Sequence, residues 1–355
     1  MNYKQELADL LSIVVKEGAS DLHITVGRHP TIRLDGSLVP LAKKDIITSE
    51  TAEGLIFSML TEAQKQKLIE KKDLDLSYSF ENQARFRVNV YHQRAFVAAA
   101  LRLIPTKIKN FEELHLPPII EDFAQKSQGF FLVVGPTGHG KTTTLAAMID
   151  YINHTRNDHI ITIEDPIEYL FSSDRATIDQ REVGLDAIDF HSALKAMFRE
   201  DVDVAMIGEM RDPETMATAV TAAETGHFVF SSLHTNNAAQ TIDRIIDSFD
   251  SSQQNQIRAQ LASTLVGVLS QRLIPKIGGG LAPAAEIMIA NPAIRNLIRE
   301  NKVHELDLVI ETSSDEGMIS LNRSLVNLVR SGDITVESAV SYSLNPGELQ
   351  LLLKG

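Results

Sequence analysis

The sequence predicts an α/β protein in two parts: a small α+β domain around an antiparallel sheet, then a larger domain with a mostly parallel sheet. Two observations predict this division. Residues 1–104 contain short segments in which apolar and polar residues alternate, as in strands with one buried face. Beyond the polar, proline-bounded residues 105–118, short apolar runs alternate with helical patterns, which is typical of parallel strands buried on both faces. We therefore expect a linker at 105–118 and a second domain at 119–355 that ends in a helical region.

The first domain is predicted to open with an amphipathic helix. Its apolar residues recur at helical spacing, and a glycine follows where a left-handed cap would lie: Leu7, Leu10, Leu11, Val14, Val15 and then Gly18. Alternating segments then predict strands, with a turn pair at Asp35-Gly36 and a helix starting near Thr48: Leu22/Ile24/Val26, Ile32/Leu34, Leu74/Leu76/Tyr78/Phe80, Phe86/Val88/Val90 and Val97/Ala99/Leu101/Leu103.

The second domain is predicted to contain four buried strands. Their apolar runs are 130–134, 160–163, 202–207 and 228–233, and a helix is expected at 143–152. The three glycines at 278–280 predict a loop.

Composition restricts the function. Among 355 residues, 34 Lys and Arg face 47 Asp and Glu, and the net charge of −13 opposes binding to nucleic acid or anionic lipid. The absence of cysteine excludes disulfides, thiolate nucleophiles and cysteine-ligated zinc. No stretch approaches the roughly 18 apolar residues of a spanning helix, so we expect a cytoplasmic protein without a membrane span.

One motif predicts phosphate binding. Gly135-Pro136-Thr137-Gly138-His139-Gly140-Lys141-Thr142, followed by Thr143, matches G-x-x-x-x-G-K-[ST] between a predicted strand and a predicted helix. Backbone N–H groups of such a loop surround the phosphates, Lys141 would meet the β- and γ-phosphates, and Thr142 would offer its hydroxyl to Mg²⁺. ATP and Mg²⁺ are therefore the expected cofactors. The alternative, a glycine-rich turn before a helix, is disfavoured by the strand-loop-helix context.

Acidic residues follow two of the predicted strands, where ligands bind in a parallel sheet. Glu209 is the candidate for orienting and deprotonating the attacking water. Gly208 occupies the place where many P-loop ATPases keep a metal-holding aspartate, so we assign Mg²⁺ binding to Glu164, Asp165 and Glu168. Each acid could instead be a solvated strand end or a helix cap.

Two histidines flank the strand predicted at 228–233. His234, at its carboxyl end, is the candidate sensor of the γ-phosphate, whereas His227 lies about 23 Å away at 3.3 Å per residue and cannot share the same phosphate. His227 is alternatively a cap or an inter-subunit contact.

Three arginines lie on polar strand faces of the first domain. Arg85 and Arg87 alternate with Phe86, Val88 and Val90, and Arg102 points away from its apolar neighbours. They could act on a neighbouring active site as arginine fingers. Residue type alone favours the alternative, a solvated basic face.

The order of these segments resembles the type II/IV secretion ATPase superfamily: a Walker A loop, an aspartate box in ITIEDPIEYL, a Walker B segment in VAMIGEMRD and a histidine box in TGHFVFSSLHT. Residues 293–300, AIRNLIRE, resemble the segment associated with PilT-type retraction motors. Packing alone could also explain that segment, because Ile294, Leu297 and Ile298 form one helical face beside Arg295 and Arg299.

The resemblance implies a PAS-like first domain, a RecA-like second domain and a homo-hexameric ring. It implies hydrolysis of Mg-ATP to power type IV pilus retraction and twitching motility, through an inner-membrane platform protein and the pilus fibre. The protein would then be cytoplasmic and peripherally associated with the inner membrane through the pilus machine. The site residues carried over are Glu209 as base, Glu168 as aspartate-box acid, His227 and His234 as the histidine-box pair, ATP-binding residues 135–143, and Arg85, Arg87 and Arg102 as first-domain arginines.

The sequence departs from the family pattern at three places. His139 stands where a serine is common, Val202 where a proline is usual, and Ser231-Ser232 where Gly-Thr is usual. Relatives that extend pili usually carry an extra N-terminal domain and a tetracysteine zinc site, and we expect neither here. The alternatives are an accessory retraction motor, an assembly motor without zinc, a nucleotide-gated module without turnover, and a hexameric nucleic-acid translocase, which the acidic charge disfavours.

Overall fold

The structure, a computed structural model, describes residues 2–34, 36–80, 84–105 and 107–354. The chain forms two compact units, the first comprising Met1–Lys107 with Pro166–Leu170 and the second comprising Ile108–Asp165 with Phe171–Gly355. The boundary falls inside the segment that the sequence predicts as a linker, of which Thr106 lies outside the described residues. The later part of that segment packs into the second unit, because Phe111 and Leu116 are buried in its core.

The first unit is a six-stranded antiparallel sheet with helices packed against one face. Its elements are α1 (Tyr3–Glu17), β1 (Asp21–Ile24), β2 (Thr31–Leu34), β3 (Ser37–Pro40), α2 (Ser49–Phe57), α3 (Glu62–Lys71), β4 (Asp73–Phe80), β5 (Ala84–Gln93) and β6 (Phe96–Ile104). The strand order is β3-β2-β1-β6-β5-β4, and every neighbouring pair is antiparallel. The predicted α+β fold of this part is confirmed.

The predicted apolar face of α1 is buried in the core of this unit. Leu7, Leu10, Leu11 and Val14 are buried, and Gly18 ends the helix in the left-handed conformation with its N–H directed at the carbonyls of the last turn. The first predicted strand is shorter than expected, because β1 ends at Ile24 and excludes Val26. Asp35, half of the predicted turn pair, lies outside the described residues.

The second unit contains a seven-stranded sheet between helices. Its elements are α4 (Ile119–Ala124), β7 (Gly129–Val134), α5 (Lys141–Thr155), β8 (His159–Glu164), β9 (Thr177–Glu182), α6 (Phe190–Met197), β10 (Val204–Ile207), α7 (Pro213–Glu224), β11 (Phe228–Leu233), α8 (Ala238–Asp247), α9 (Ser251–Thr264), β12 (Leu265–Pro275), β13 (Leu281–Ile289), α10 (Pro292–Arg299), α11 (Leu306–Thr312), α12 (Leu321–Arg330), α13 (Val336–Tyr342) and α14 (Pro346–Lys354), with 3₁₀ turns at Val303–Glu305 and Ser314–Glu316.

The sheet order is β13-β12-β7-β11-β10-β8-β9, and all neighbours are parallel except the β12–β13 hairpin. Two hydrophobic cores cover its faces. Along β7, Phe130, Leu132 and Val134 enter one core while Phe131 and Val133 enter the other. Burial on both faces is why the predicted strands of this unit are continuous apolar runs, and the mostly parallel fold is confirmed.

The last three helices, α12 to α14, pack around the β12–β13 hairpin. Their apolar residues form a smaller core with Ile274 of β12 and Ala282 and Ala284 of β13. The glycines at 278–280 connect the two strands, as the loop prediction required. Within the described ranges, none of the helices combines the length and apolar character needed to cross a bilayer.

Candidate nucleotide-binding site

The phosphate loop connects β7 to α5 and depends on its glycines. Gly135, Gly138 and Gly140 have φ values of 146°, 80° and 83°, which side chains other than glycine rarely adopt. A Cβ on Gly135 would lie 2.3 Å from the backbone oxygen of Gln271, and one on Gly140 would lie 2.8 Å from the Gln271 side-chain nitrogen. The loop is therefore pressed against β12, and only glycine fits at these two positions.

The start of α5 lacks the side-chain cap that several other helices of this unit have, a lack it shares with α4, α9 and α11. Asp189, Asp212, Asn237 and Asn291 cap α6, α7, α8 and α10 with side-chain oxygens. By contrast, α5 follows Gly140, and no side chain in the described part of the chain caps it. A helix start without a side-chain cap presents N–H groups and the positive end of the helix dipole, which suit phosphate oxygens.

Lys141 is buried at this helix start, with 7% of its surface exposed. Its ammonium donates to the carbonyls of Gly135 at 2.8 Å and Pro136 at 3.0 Å, and it lies 3.2 Å from Nδ1 of His234. Because an ammonium has no acceptor, Nδ1 accepts this bond and Nε2 carries the proton of the neutral ring.

His234 connects Lys141 to Glu209. Its Nε2 lies 3.4 Å from a carboxylate oxygen of Glu209, and the Thr137 hydroxyl lies 3.4 Å from its Nδ1. Arg211 donates to the other Glu209 oxygen. Burial raises the pKa of Glu209, but the Arg211 and His234 contacts outweigh burial and hold that pKa below its ordinary value. The structure thus brings together the loop, the lysine, the strand-end histidine and the Walker B glutamate.

Two serines that depart from the family pattern hold the backbone before Glu209. Ser232 of β11 donates to the carbonyl of Gly208 at 2.7 Å, and Ser231 donates to the carbonyl of Ile207 at 2.9 Å. These bonds tie the end of β10 to β11 beyond the ladder, which fixes where the Glu209 side chain starts. Sequence reasoning noted the serines as departures but missed this contact.

Glu164 and Asp165 lie at the carboxyl end of β8, next to β10. Glu164 is buried and accepts hydrogen bonds from Thr162 at 2.7 Å and Gln180 at 3.2 Å. Asp165 is close enough to Arg211 to raise the pKa of that guanidinium, although Glu209 is the larger cause. These acids meet the same edge of the sheet as the phosphate loop, as expected for parallel strands.

No group of three or more His, Asp or Glu side chains placed to hold a metal ion occurs among the described residues. Mg²⁺ bound together with a nucleotide keeps several waters and takes only one or two protein ligands. A hydroxyl at Thr142 and a carboxylate at Glu164 fit that requirement. Glu168, the third predicted metal ligand, groups with the first unit.

The first unit places the three arginines and Glu168 on the polar side of its sheet. Arg87 lies opposite Arg102 in the β5–β6 ladder, and its guanidinium is 3.5 Å from Glu168. Arg102 donates to Asp21 at 3.0 Å, and Arg85 donates to Ser77 at 2.7 Å. The predicted alternation holds, since Phe86, Val88 and Val90 face the core. Whether these arginines reach a neighbouring active site stays a prediction.

His227 lies at the opposite edge of the sheet from the phosphate loop. It precedes β11 beside the start of β7, where its ring packs edge-on against Phe198 with centroids 5.5 Å apart. Its Nδ1 lies 3.0 Å from the carbonyl of Ala222. Within one chain, His227 is therefore not brought to the loop that holds Lys141, and its role toward a neighbour's nucleotide stays a prediction.

Gln271 of β12 is a functional candidate that sequence reasoning missed. It is buried, its amide oxygen accepts from Thr144 at 2.7 Å, and its amide nitrogen donates to the carbonyl of His139 at 3.0 Å. In addition, the backbone N–H of Leu273 donates to Nδ1 of His139 at 2.9 Å. No local signal identifies these residues, because the contacts link positions more than 120 residues apart in the chain.

Comparison with known proteins places these features in a family. Residues 3–324 match the family described as "Type II/IV secretion system protein". The chain is 44% identical over 339 residues to the "Type IV pilus retractation ATPase PilT" of Pseudomonas aeruginosa, covering 94% of this chain and 97% of that protein. It is 38% identical over 350 residues to the "Type IV pilus ATPase PilU" of the same organism, covering 98% and 91%.

A solved structure agrees with the sequence comparison. The crystal structure of the pilus retraction motor PilT with bound ADP has 46% sequence identity and a TM-score of 0.91, and it covers 97% of this chain and 98% of that one. The family match includes the phosphate loop, Glu209 and the histidine box. The chain therefore belongs to the type II/IV secretion system protein family, and it is a P-loop ATPase.

Proposed function

We propose that this chain is a motor that hydrolyses Mg-ATP as a homo-hexamer and powers type IV pilus retraction and twitching motility. The observation that carries the proposal is the likeness to PilT along nearly the whole of both chains. Likeness of this extent includes both units, whereas a shared ATPase core alone would leave the first unit unmatched.

In the proposed reaction, Lys141 leaves the two loop carbonyls and moves its ammonium to the β- and γ-phosphates. The N–H groups at the start of α5 and in the glycine loop bind the remaining phosphate oxygens. Mg²⁺, held by Thr142 and by water on Glu164 and Asp165, would neutralise charge on the phosphates. These contacts hold the phosphate in place and stabilise charge that develops during transfer.

Glu209 is the proposed general base. Its depressed pKa keeps it ionised at neutral pH, so a proton from the attacking water can move to its carboxylate. Arg211 occupies one carboxylate oxygen in this structure and must move aside or share it with the water. His234, which donates to Glu209 and accepts from Lys141, would report the arrival of the γ-phosphate at Lys141 to the base.

The first-unit arginines would complete a neighbour's site in the ring. Arg85, Arg87 and Arg102 share one face of the sheet, so a single docking surface could present all three to phosphate oxygens. Glu168, 3.5 Å from Arg87, would hold that arginine until the neighbour binds nucleotide. We further propose an inner-membrane platform protein, and through it the pilus fibre, as partners, and a cytoplasmic location at the face of that machine.

Gene deletion tests the function. Loss of a retraction motor predicts cells with excess surface pili and without twitching motility, restored by the intact gene and not by the Glu209→Gln gene. Cells that lose their pili would instead indicate an assembly motor, and cells with normal pili and motility would contradict the proposal. Electron microscopy of surface pili and a subsurface twitching assay provide the two measurements.

A further inference from the structure

The side chain of His139 turns from the phosphate loop to β12. Its Nδ1 accepts from the N–H of Leu273 at 2.9 Å, and its carbonyl accepts from Gln271 at 3.0 Å. The residue is therefore bonded to β12 through both its side chain and its backbone. Neither bond uses a backbone N–H of the loop, so both leave these donors available for phosphate oxygens.

The position of Leu273 on β12 explains why its N–H needs an acceptor from outside the sheet. The parallel ladder between β12 and β7 ends at the pair Ser270 and Val134, where β7 gives way to the phosphate loop. Beyond that pair, β12 continues to Pro275 without β7 beside it. The N–H of Leu273 would have no strand partner on this side, and an unpaired buried N–H is costly. The imidazole of His139 supplies the missing acceptor.

His139 also contacts the C-terminal helices. Its ring lies edge-on to Tyr342 at the end of α13, with centroids 6.3 Å apart and planes at 71°, a favourable aromatic arrangement. Tyr342 packs against the small core formed by these helices and the β12–β13 hairpin. One residue of the phosphate loop thus touches both β12 and α13.

We propose that His139 is a positioning residue that joins the phosphate loop to β12 and α13, so that nucleotide binding orders the C-terminal helical region. The inference rests on the proposed nucleotide site at Lys141 and goes beyond it, because the G-x-x-x-x-G-K-[ST] pattern leaves the residue at position 139 free and assigns it no contact. A small hydroxyl side chain such as serine would supply neither the aromatic ring nor an acceptor two bonds from Cβ.

Protonation of the His139 ring should change the ADP affinity with pH, an effect that a merely structural role of this residue would not produce. Nδ1 can accept from Leu273 only while it carries no proton. Burial, then the charges of Arg272 and Lys141, lower the pKa of His139 below its ordinary value, and Tyr342 is the titratable group facing it from α13. Because the pKa is lowered, the bond is present at neutral pH and is lost as the pH falls below the ordinary value of 6.5.

The test measures ADP affinity of the full chain by isothermal titration, with three variants. His139→Ala removes the acceptor and should weaken binding by roughly 5–10-fold, as for one lost hydrogen bond. His139→Asn keeps an acceptor oxygen two bonds from Cβ that does not titrate, and it should recover most of the affinity. Between about pH 8 and about pH 5, affinity of the unaltered chain should fall relative to His139→Asn.

Hydrogen exchange then tests the connection to the helices. ADP should slow amide exchange in Val336–Tyr342 of the unaltered chain and of Tyr342→Phe, which keeps the ring, but not of His139→Ala or Tyr342→Ala. Unchanged ADP affinity in His139→Ala, the same pH profile in His139→Asn as in the unaltered chain, or ADP-independent exchange in all variants would each overturn the inference. Lys141→Ala separates the two proposals: if it still binds ADP at full affinity, the site assignment itself fails.

Discussion

Replacing Glu286 by glutamine should make the second unit more stable above neutral pH. Glu286 lies on β13, only 6% of it is exposed, and one of its oxygens accepts from the N–H of Ala238 at 2.7 Å, at the start of α8. Burial raises its pKa from 4.5 to about 7, and Asp307 adds to the rise, while the Ala238 N–H and Arg272 oppose it. A glutamine can accept the same bond without carrying charge.

The sign follows from the direction of the shift. Because the pKa in the folded chain exceeds that in the unfolded chain, the stabilisation is complete below pH 4.5 and is lost as the pH rises through about 7. The rise of roughly 2.5 in the pKa of Glu286 on folding corresponds to about 3 kcal/mol of unfolding free energy. The stability of Glu286→Gln minus that of the unaltered chain should therefore increase by about this amount between acid and mildly alkaline pH.

Urea unfolding followed by far-ultraviolet circular dichroism measures this difference, at fixed protein concentration and without nucleotide. Subtracting the two proteins at each pH removes any constant effect of the substitution and any other group that titrates in both. Glu70→Gln, at an exposed position of α3, controls for the change in net charge. A difference that stays flat across this range would refute the reasoning, because a buried carboxylate that titrates normally has no such linkage.

Three further predictions concern the ATPase site. Lys141→Ala should abolish nucleotide binding in a titration with ADP, because the substitution removes a buried positive charge from the phosphate site. The control, Lys126→Ala at an exposed position, should bind ADP normally. Full-affinity binding by Lys141→Ala would contradict the P-loop assignment. Glu209→Gln should keep ATP binding and lower steady-state turnover by at least about a hundredfold, and a loss of less than tenfold would assign the base to another carboxylate. Mixing Arg87→Ala chains with Glu209→Gln chains should recover part of the ATPase activity, because some subunit interfaces then contain both an intact Arg87 and an intact Glu209. An arginine finger contributes on the order of 10³-fold or more to the rate. Co-assembled mixtures that are no more active than either parent would rule out donation of Arg87 between subunits.

The sequence predicted the elements whose signal is local. The phosphate loop, the strand before it and the helix after it each follow from neighbouring residues, and the helix only begins earlier than expected, at Lys141. The four apolar runs became β7, β8, β10 and β11 because strands buried on both faces need apolar residues at every position. The strand predicted at 202–207 begins at Val204.

Three strands of the second unit, β9, β12 and β13, were not predicted from the sequence. β9 is an edge strand with mostly polar, partly exposed residues, so neither an apolar run nor a clean alternation marks it. β12 contains buried Ser270 and Gln271, whose polar groups are satisfied by Asn236 and by the phosphate loop. Only the folded chain brings those partners together, and for the same reason the contacts of His139 could not be predicted.

The glycine turn between β12 and β13 offers an attachment point. Gly278, Gly279 and Gly280 are exposed, and a Cβ at any of them would have no atom within 4 Å. Their positive φ values make substitution unfavourable but leave insertion of a short glycine-flanked segment open. Since the chain has no cysteine, one inserted thiol would be unique. A spectroscopic label there could follow movements of the hairpin that carries Gln271 and Leu273 during turnover, without removing a native residue.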